Sequence, residues 1–176
     1  MHLPMKGVRV LEVAQFWFVP SAGAVLADWG ADVIKVEHPE RGDGQRGLAS
    51  SGISTEIRGV DFLVQQPNRG KKSLGLDFGK PEGLELLYRL AKQSDVFLTN
   101  FLPDARERLK IDVADIRSVN PKIIYVRGHG QGARGPEAHL GGYDASSFWS
   151  RGGICDALTP AGFETTVYDI AEDPVR

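Results

Sequence analysis

Cysteine is nearly absent: Cys155 is the single one in 176 residues. One thiol excludes an internal disulfide, and without neighbouring Cys or clustered His it offers no zinc-ligand spacing, so no metal is expected. It reads as a small packed side chain rather than a nucleophile. No apolar run approaches the ~20 residues that span a bilayer, and the N-terminal stretch lacks the apolar core of a secretory signal. No membrane partner is expected, and a cytoplasmic location is. Neither sign of charge dominates. A net charge of −2 and a pI ≈ 6.1 give no general polyanion-binding surface, which argues against nucleic acid as a partner. Two phosphate signatures are missing as well: there is no G-x-x-x-x-G-K-[ST], and the first strand–helix turn has no G-x-G-x-x-G. An ATP or NAD site of the usual kind is therefore not expected.

What is present is enough apolar sequence, 41%, for one real core, arranged in alternating strand and helix patterns. The stretch Gly7 to Pro39 organises the rest. Val8 to Val13 is a short β-branched run, the mark of a buried strand. Pro20 is expected to open a helix in which Ala22, Val25, Leu26 and Trp29 recur at helical spacing, and Gly30 to stop it. Val33, Ile34 and Val36 make a second strand ending at Glu37. A strand–helix–strand unit crosses over right-handedly, so its strands are parallel. Glu40 to Ser54 reads as a long surface loop, and Gly59 to Gln66 as either helix or strand. A short strand at Ser73 to Asp77, an amphipathic helix from Pro81, a buried strand Asp95 to Thr99, short helices from Pro103 and Val113, and a strand Lys122 to Arg127 follow. The pattern predicts an α/β fold, a Rossmann-like parallel sheet with helices on both faces. Beyond Arg127 come a glycine-rich loop, GHGQGARGP, then GGYD and a helix through Ser146, Phe148 and Trp149. From Gly152 to Arg176 there is no strong periodicity.

In parallel sheets ligands bind outside the carboxyl ends of the strands. Those ends carry Gln15-Phe16-Trp17, His38, Asn100-Phe101 and the loop from Gly128, with Arg69, Lys71 and Lys72 as further cations expected to reach the same rim. Aromatic rings and an amide can hold an adenine, and Lys and Arg neutralise phosphates. These residues also have plain readings: Phe16 to Phe18 as core, Lys71-Lys72 as a solvated pair, and the glycine-rich loop as a turn. Composition and spacing point to a nucleotide-like ligand and no further.

The chain also resembles a known family in residues spread over nearly its whole length. GVRVLEVAQ…LADWGADVIKVEHP, NRGKKSLGLDF, KPEGLELLYRLAKQSDVFLTNFLPDARERLKID, SVNPKIIYVRGHGQGARGP and GGYD resemble, in order and spacing, the family III CoA-transferases (the CaiB/BaiF group), which include α-methylacyl-CoA racemase. The resemblance implies a Rossmann-like CoA-binding domain over 1–136. Residues 137–176 would begin a linker and active-site region, in a family fold expected to be truncated here. It implies CoA or acyl-CoA as substrate and a carboxylic acid as the second one. It further implies a homodimer, or a partner chain that supplies the other half. By position it implies CoA contacts at Phe16, Trp17, His38, Lys71, Lys72, Asn100, Phe101, Arg108 and Leu109, with Tyr143 near the acyl end. The family nucleophile is an Asp after the GYD region. Asp156, Asp169 and Asp173 are the candidates here, none after a glycine; Asp169 is the stand-in, and the nucleophile is expected beyond Arg176. The sequence departs from the family at Val19, where a glycine is usual, at His38, often an arginine, and at Leu102 and Asp104, within the usual N-F-R-P-G. Racemases carry a base at the Tyr143 position. A tyrosine with its ordinary pKa of about 10 serves that role poorly, which favours a transferase. A non-catalytic CoA-binding paralogue and a structural remnant are the rival expectations.

Overall fold

The structure, a computed structural model, describes residues 3–52 and 56–162. The described chain divides into two units, one ending at Gly128 and the other starting at His129. In the first unit five strands form one parallel sheet: β1 (Arg9–Val13), β2 (Asp32–Glu37), β3 (Lys72–Gly75), β4 (Val96–Thr99) and β5 (Ile124–Arg127). Their order is β3-β2-β1-β4-β5. The chain therefore leaves β1 toward one edge and returns to its other side at β4. That reversal opens a crevice at the carboxyl ends, the ligand position of doubly wound sheets.

Alternation along β1 sends its side chains to two cores. Leu11 and Val13 join Val36, Phe97, Leu87, Ala91, Ile111 and Ile116 beneath α4 (Pro81–Lys92) and α6 (Val113–Val119). Val10 and Ala14 join Val19, Val33, Val96 and Leu98 beneath α1 (Phe18–Asp28). Helices thus cover both faces, as expected. The register Leu11↔Ile34 and Leu11↔Phe97 aligns β1 with β2 and β4. No helix among the described residues is long and apolar enough to cross a membrane.

Several local expectations need correction. Helix α1 starts at Phe18, not Pro20, because Ser21 N–H already donates to Trp17 O (2.8 Å). Pro20 still sits in the first turn, where N–H groups have no intrahelical acceptor. Its stop is as expected: Gly30 has φ +99°, and Gly30 N–H and Ala31 N–H cap Ala27 O and Leu26 O. The apolar spacing of Ala22, Val25 and Trp29 does not mark the buried face. That face is Val19, Pro20, Gly23 and Ala24, while Ala22, Val25 and Trp29 are exposed. The stretch after β2 is not a plain surface loop: it carries a helical turn (Gly44–Arg46) and α2 (Gly47–Ser50), and buries Asp43 and Gln45. The undecided segment is helical, α3 (Phe62–Asn68), packed on α1 and capped by Asp61. α5 (Pro103–Arg108) completes the first unit.

In the second unit Tyr143 precedes a wide helical turn (Asp144–Ser150), and α7 (Ile154–Leu158) follows. The glycine-rich loop and GGYD meet here. A Cβ on Gly130 would lie 2.6 Å from Gly142, and Gln131 Nε2 donates to Ser147 Oγ (3.1 Å). Arg151 pairs with Glu137.

Candidate functional site: a cleft at the strand ends

The rim of the sheet is fastened by a buried cluster of four charged groups that no hydropathy pattern suggests. Glu12 on β1 and Lys35 on β2 point to the α1 face, fully covered. Lys71 donates to both Glu12 oxygens (2.7 and 2.8 Å) and to Pro20 O (2.7 Å), locking β3 and α1 to β1. Lys35 donates to Asp43 (2.7 Å), to Ala14 O (3.0 Å) and, more weakly placed, to Glu12 (3.4 Å). Burial pushes the Glu12 carboxyl up and the Lys71 ammonium down, against their mutual attraction.

Asp43 carries this order outward. Its Oδ1 accepts from Phe16 N–H and Gln45 N–H (both 2.9 Å), while its own N–H donates to Glu37 (3.0 Å). Phe16 is thereby held at φ +63°, a left-handed conformation uncommon for a non-glycine residue. Gly44 accommodates it, since a Cβ there would meet the Phe16 ring at 2.9 Å. Glu37 also takes a bidentate pair from Arg46 (2.8 and 2.9 Å). Burial raises the Glu37 carboxyl, but the hydrogen bonds and charge of Arg46, with Lys35 and the Asp43 N–H, outweigh it and hold its pKa below the ordinary value.

The cleft, about 410 Å³, is walled by segments after four elements: Ala14 and Gln15 after β1, His38 with Arg41 to Gly44 after β2, Leu76 to Gly79 after β3, and Phe101, Arg108 and Leu109 around α5. Phe78 and Phe101 meet edge to face, centroids 6.2 Å apart, and give it an apolar side. Phe101 is positioned by Arg106, a buried guanidinium that donates to Phe101 O (2.6 Å) and to Asp112 (3.0 Å). Asn100 uses both ends of its amide on the Gln15 backbone, accepting at 2.9 Å and donating at 2.7 Å. His38 Nδ1 accepts from Glu40 N–H and Arg41 N–H (3.2 Å each), and its Nε2 lies 3.9 Å from Asp77.

Of the residues expected at the site, His38, Phe101, Arg108 and Leu109 line this cleft, with Asn100 and Phe16 beside it in the turns that shape it. Trp17 turns its indole N–H to Leu63 O on α3 (2.7 Å). Lys71 and Lys72 are corrected: both lie where β3 begins, whereas the rim lies at its carboxyl end, near Leu76 and Asp77. Lys71 is buried against Glu12, and Lys72 pairs with Asp32 (2.6 Å) at the start of β2. Arg69 likewise pairs with Asp28 (2.6 Å). Tyr143 belongs to the second unit, where it is exposed and its N–H donates to Ser146 Oγ (3.1 Å). Asp156 sits in the first turn of α7; Asp169 and Asp173 lie outside the described residues. The sequence reading missed Arg41, Asp43, Asp77, Phe78 and Arg106. The G-D-G context after β2 and the L-x-L-D-F run after Lys72 were the signals available.

The model of CoA-transferase family III matches residues 5–171. Succinate–glutarate CoA-transferase of Agrobacterium fabrum is 40% identical over 145 residues, 80% of this chain and 36% of that protein. The alpha subunit of succinyl-CoA–L-malate CoA-transferase of Chloroflexus aurantiacus is 32% identical over 81% of this chain and 32% of its own length. Among solved structures, a CaiB/BaiF family protein from Brucella suis superposes with a TM-score of 0.82 at 34% identity, covering 94% of this chain and 43% of that one. Rv3272 from Mycobacterium tuberculosis gives 0.80 at 32% identity, over 45% of its chain. The chain thus spans less than half the length of these relatives.

Proposed function

The chain belongs to CoA-transferase family III, and from that premise we propose that it is the CoA-binding part of an enzyme moving CoA from an acyl-CoA thioester to an acceptor carboxylic acid. The observation that carries the proposal is the cleft at the carboxyl ends of β1, β2 and β3. It joins an aromatic side, Phe78 and Phe101, to two arginines, Arg41 and Arg108. A ligand with an adenine ring, phosphates and a long neutral arm matches that mixture.

In this reading an aspartate carboxylate attacks the donor thioester, giving a mixed anhydride and CoA thiolate. The thiolate attacks the aspartyl carbonyl, releasing the donor acid and leaving an aspartyl-CoA thioester. The acceptor carboxylate then attacks that thioester, and the returning thiolate takes the acceptor acyl group, freeing the aspartate. Covalent relay divides one difficult exchange into easier ones. The task of this cleft is to hold CoA while its thiolate leaves and returns. Within this chain Asp169 is the stand-in for that carboxylate. A homodimer or a second subunit would complete the site, and the Chloroflexus relative, itself named an alpha subunit, supports the second arrangement.

Calorimetric titration with CoA and acetyl-CoA tests the reading. Saturable binding is expected, weakened about tenfold by Arg108→Ala, the scale of one charge-assisted phosphate contact. No binding by the unaltered chain would overturn it. Exchange of label between succinyl-CoA and glutarate, with and without an added longer homologue, then tests the transferase half.

A further inference from the structure

The segment after β2 holds several charged groups, and all but two are committed; of these two, Glu40 does not line the cleft. Lys35 is buried on Asp43, and Arg46 is bidentate on Glu37. His38 spends Nδ1 as an acceptor for two backbone N–H groups, and its Nε2 lies 3.9 Å from Asp77. Asp77 in turn pairs with Lys80 (3.4 Å). Arg41 differs. Its backbone N–H is held by His38, yet its guanidinium makes no ion pair or hydrogen bond among the described residues, is exposed, and lines the cleft.

We infer that Arg41 is the anion-contacting residue of this wall, taking a phosphate of the ligand, and that His38 serves as the positioning residue that fixes the turn presenting it. The inference rests on the reading of the cleft as a CoA site. The segment is prepared for such a role. His38 O accepts from Gly42 N–H (2.8 Å), closing the turn, and Asp43 and Arg46 anchor its far side to β2. The backbone is fixed before the ligand arrives, so only one flexible side chain is ordered on binding. Arg108 supplies a second cation from α5, so phosphate oxygens can be met from two walls.

The test is a titration of the chain with CoA and, separately, with pantetheine, which shares the neutral arm but has neither phosphates nor nucleotide. Arg41→Ala should weaken CoA about tenfold and flatten its salt dependence, with pantetheine binding unmoved. Arg41→Lys, which keeps the charge but loses the fork, should fall between. Arg117→Ala, which removes an exposed arginine of α6 outside the cleft, should match the unaltered chain and so exclude a net-charge effect. CoA affinity unchanged in Arg41→Ala would overturn the inference and leave the CoA reading standing. Equal losses for CoA and pantetheine would also overturn it, since that pattern means a displaced loop. Failure of the unaltered chain to bind CoA would overturn both.

Discussion

Gly23 shows how closely α1 approaches the buried charges. It faces the Glu12–Lys71 pair, and a Cβ there would stand 1.8 Å from Glu12 Oε2 and 3.1 Å from Lys71 Nζ. Alanine is the better helix former by roughly 1 kcal/mol. Overpacking a close contact costs about 1–3 kcal/mol, and here the obstructing atom is a carboxylate already tied by two hydrogen bonds. Gly23→Ala is therefore expected to destabilise despite its propensity, read as a lower urea midpoint with unchanged slope. A variant as stable as the parent would mean that α1 slides on the sheet. This contact was invisible in the sequence for a definite reason. Val10, Glu12 and Ala14 alternate, and a polar residue in such a row reads as the solvent side of a strand. Only the path of α1 turns Glu12 into a buried group, and Lys71 is its counter-charge rather than a ligand contact.

The segment between β2 and α3 is the element that makes a cleft out of strand ends. The strands themselves were legible because β-branched runs bounded by turn residues have few other uses, and α4 was legible from its 3.6-residue spacing. The segment after β2 was not: a polar, glycine-rich stretch looks the same whether it is solvated or folded around one buried carboxylate. Asp43 decides between these, since it bonds Lys35, Phe16 N–H and Gln45 N–H at once. Asp43→Asn keeps the shape but confronts Lys35 with an amide. Breaking one partner of a buried pair costs roughly 3–5 kcal/mol. A large loss of stability is expected, together with faster hydrogen exchange at Phe16 and Gln45 and weaker CoA binding. Exchange at those two amides as slow as in the parent would show that the segment is held by something else. Arg46→Met should give a milder version, because the Asp43 bonds remain.

At the scale of the molecule, the carboxylates whose pKa values fall on folding tie stability to pH. Glu37 is held low by Arg46 against its burial. Asp112 is held low, again against burial, by the Val113 N–H and by Arg106, the arginine that also sets Phe101. A group whose folded pKa lies below its unfolded value stabilises the fold at every pH above the unfolded value, about 4 for these side chains. That contribution is lost as pH falls through the lower, folded pKa. Asp77, also held low with help from the Gly79 N–H and Lys80, acts in the same direction, while Glu12 has the opposite sign, because burial favours its protonated form, and works against the loss. Urea unfolding at pH 7, 5 and 4 should therefore show stability nearly level down to pH 5 and falling below it. Glu37→Gln should be less stable at pH 7, and its curve should converge on the parent's as the pH drops, because protonation already removes in the parent what the substitution removes. Both groups flank the cleft walls, so CoA affinity should decline over the same acid range in the parent and less steeply in Glu37→Gln. Parallel stability curves for the two proteins would mean that the Glu37–Arg46 pair forms equally in the unfolded chain and does not shape the rim.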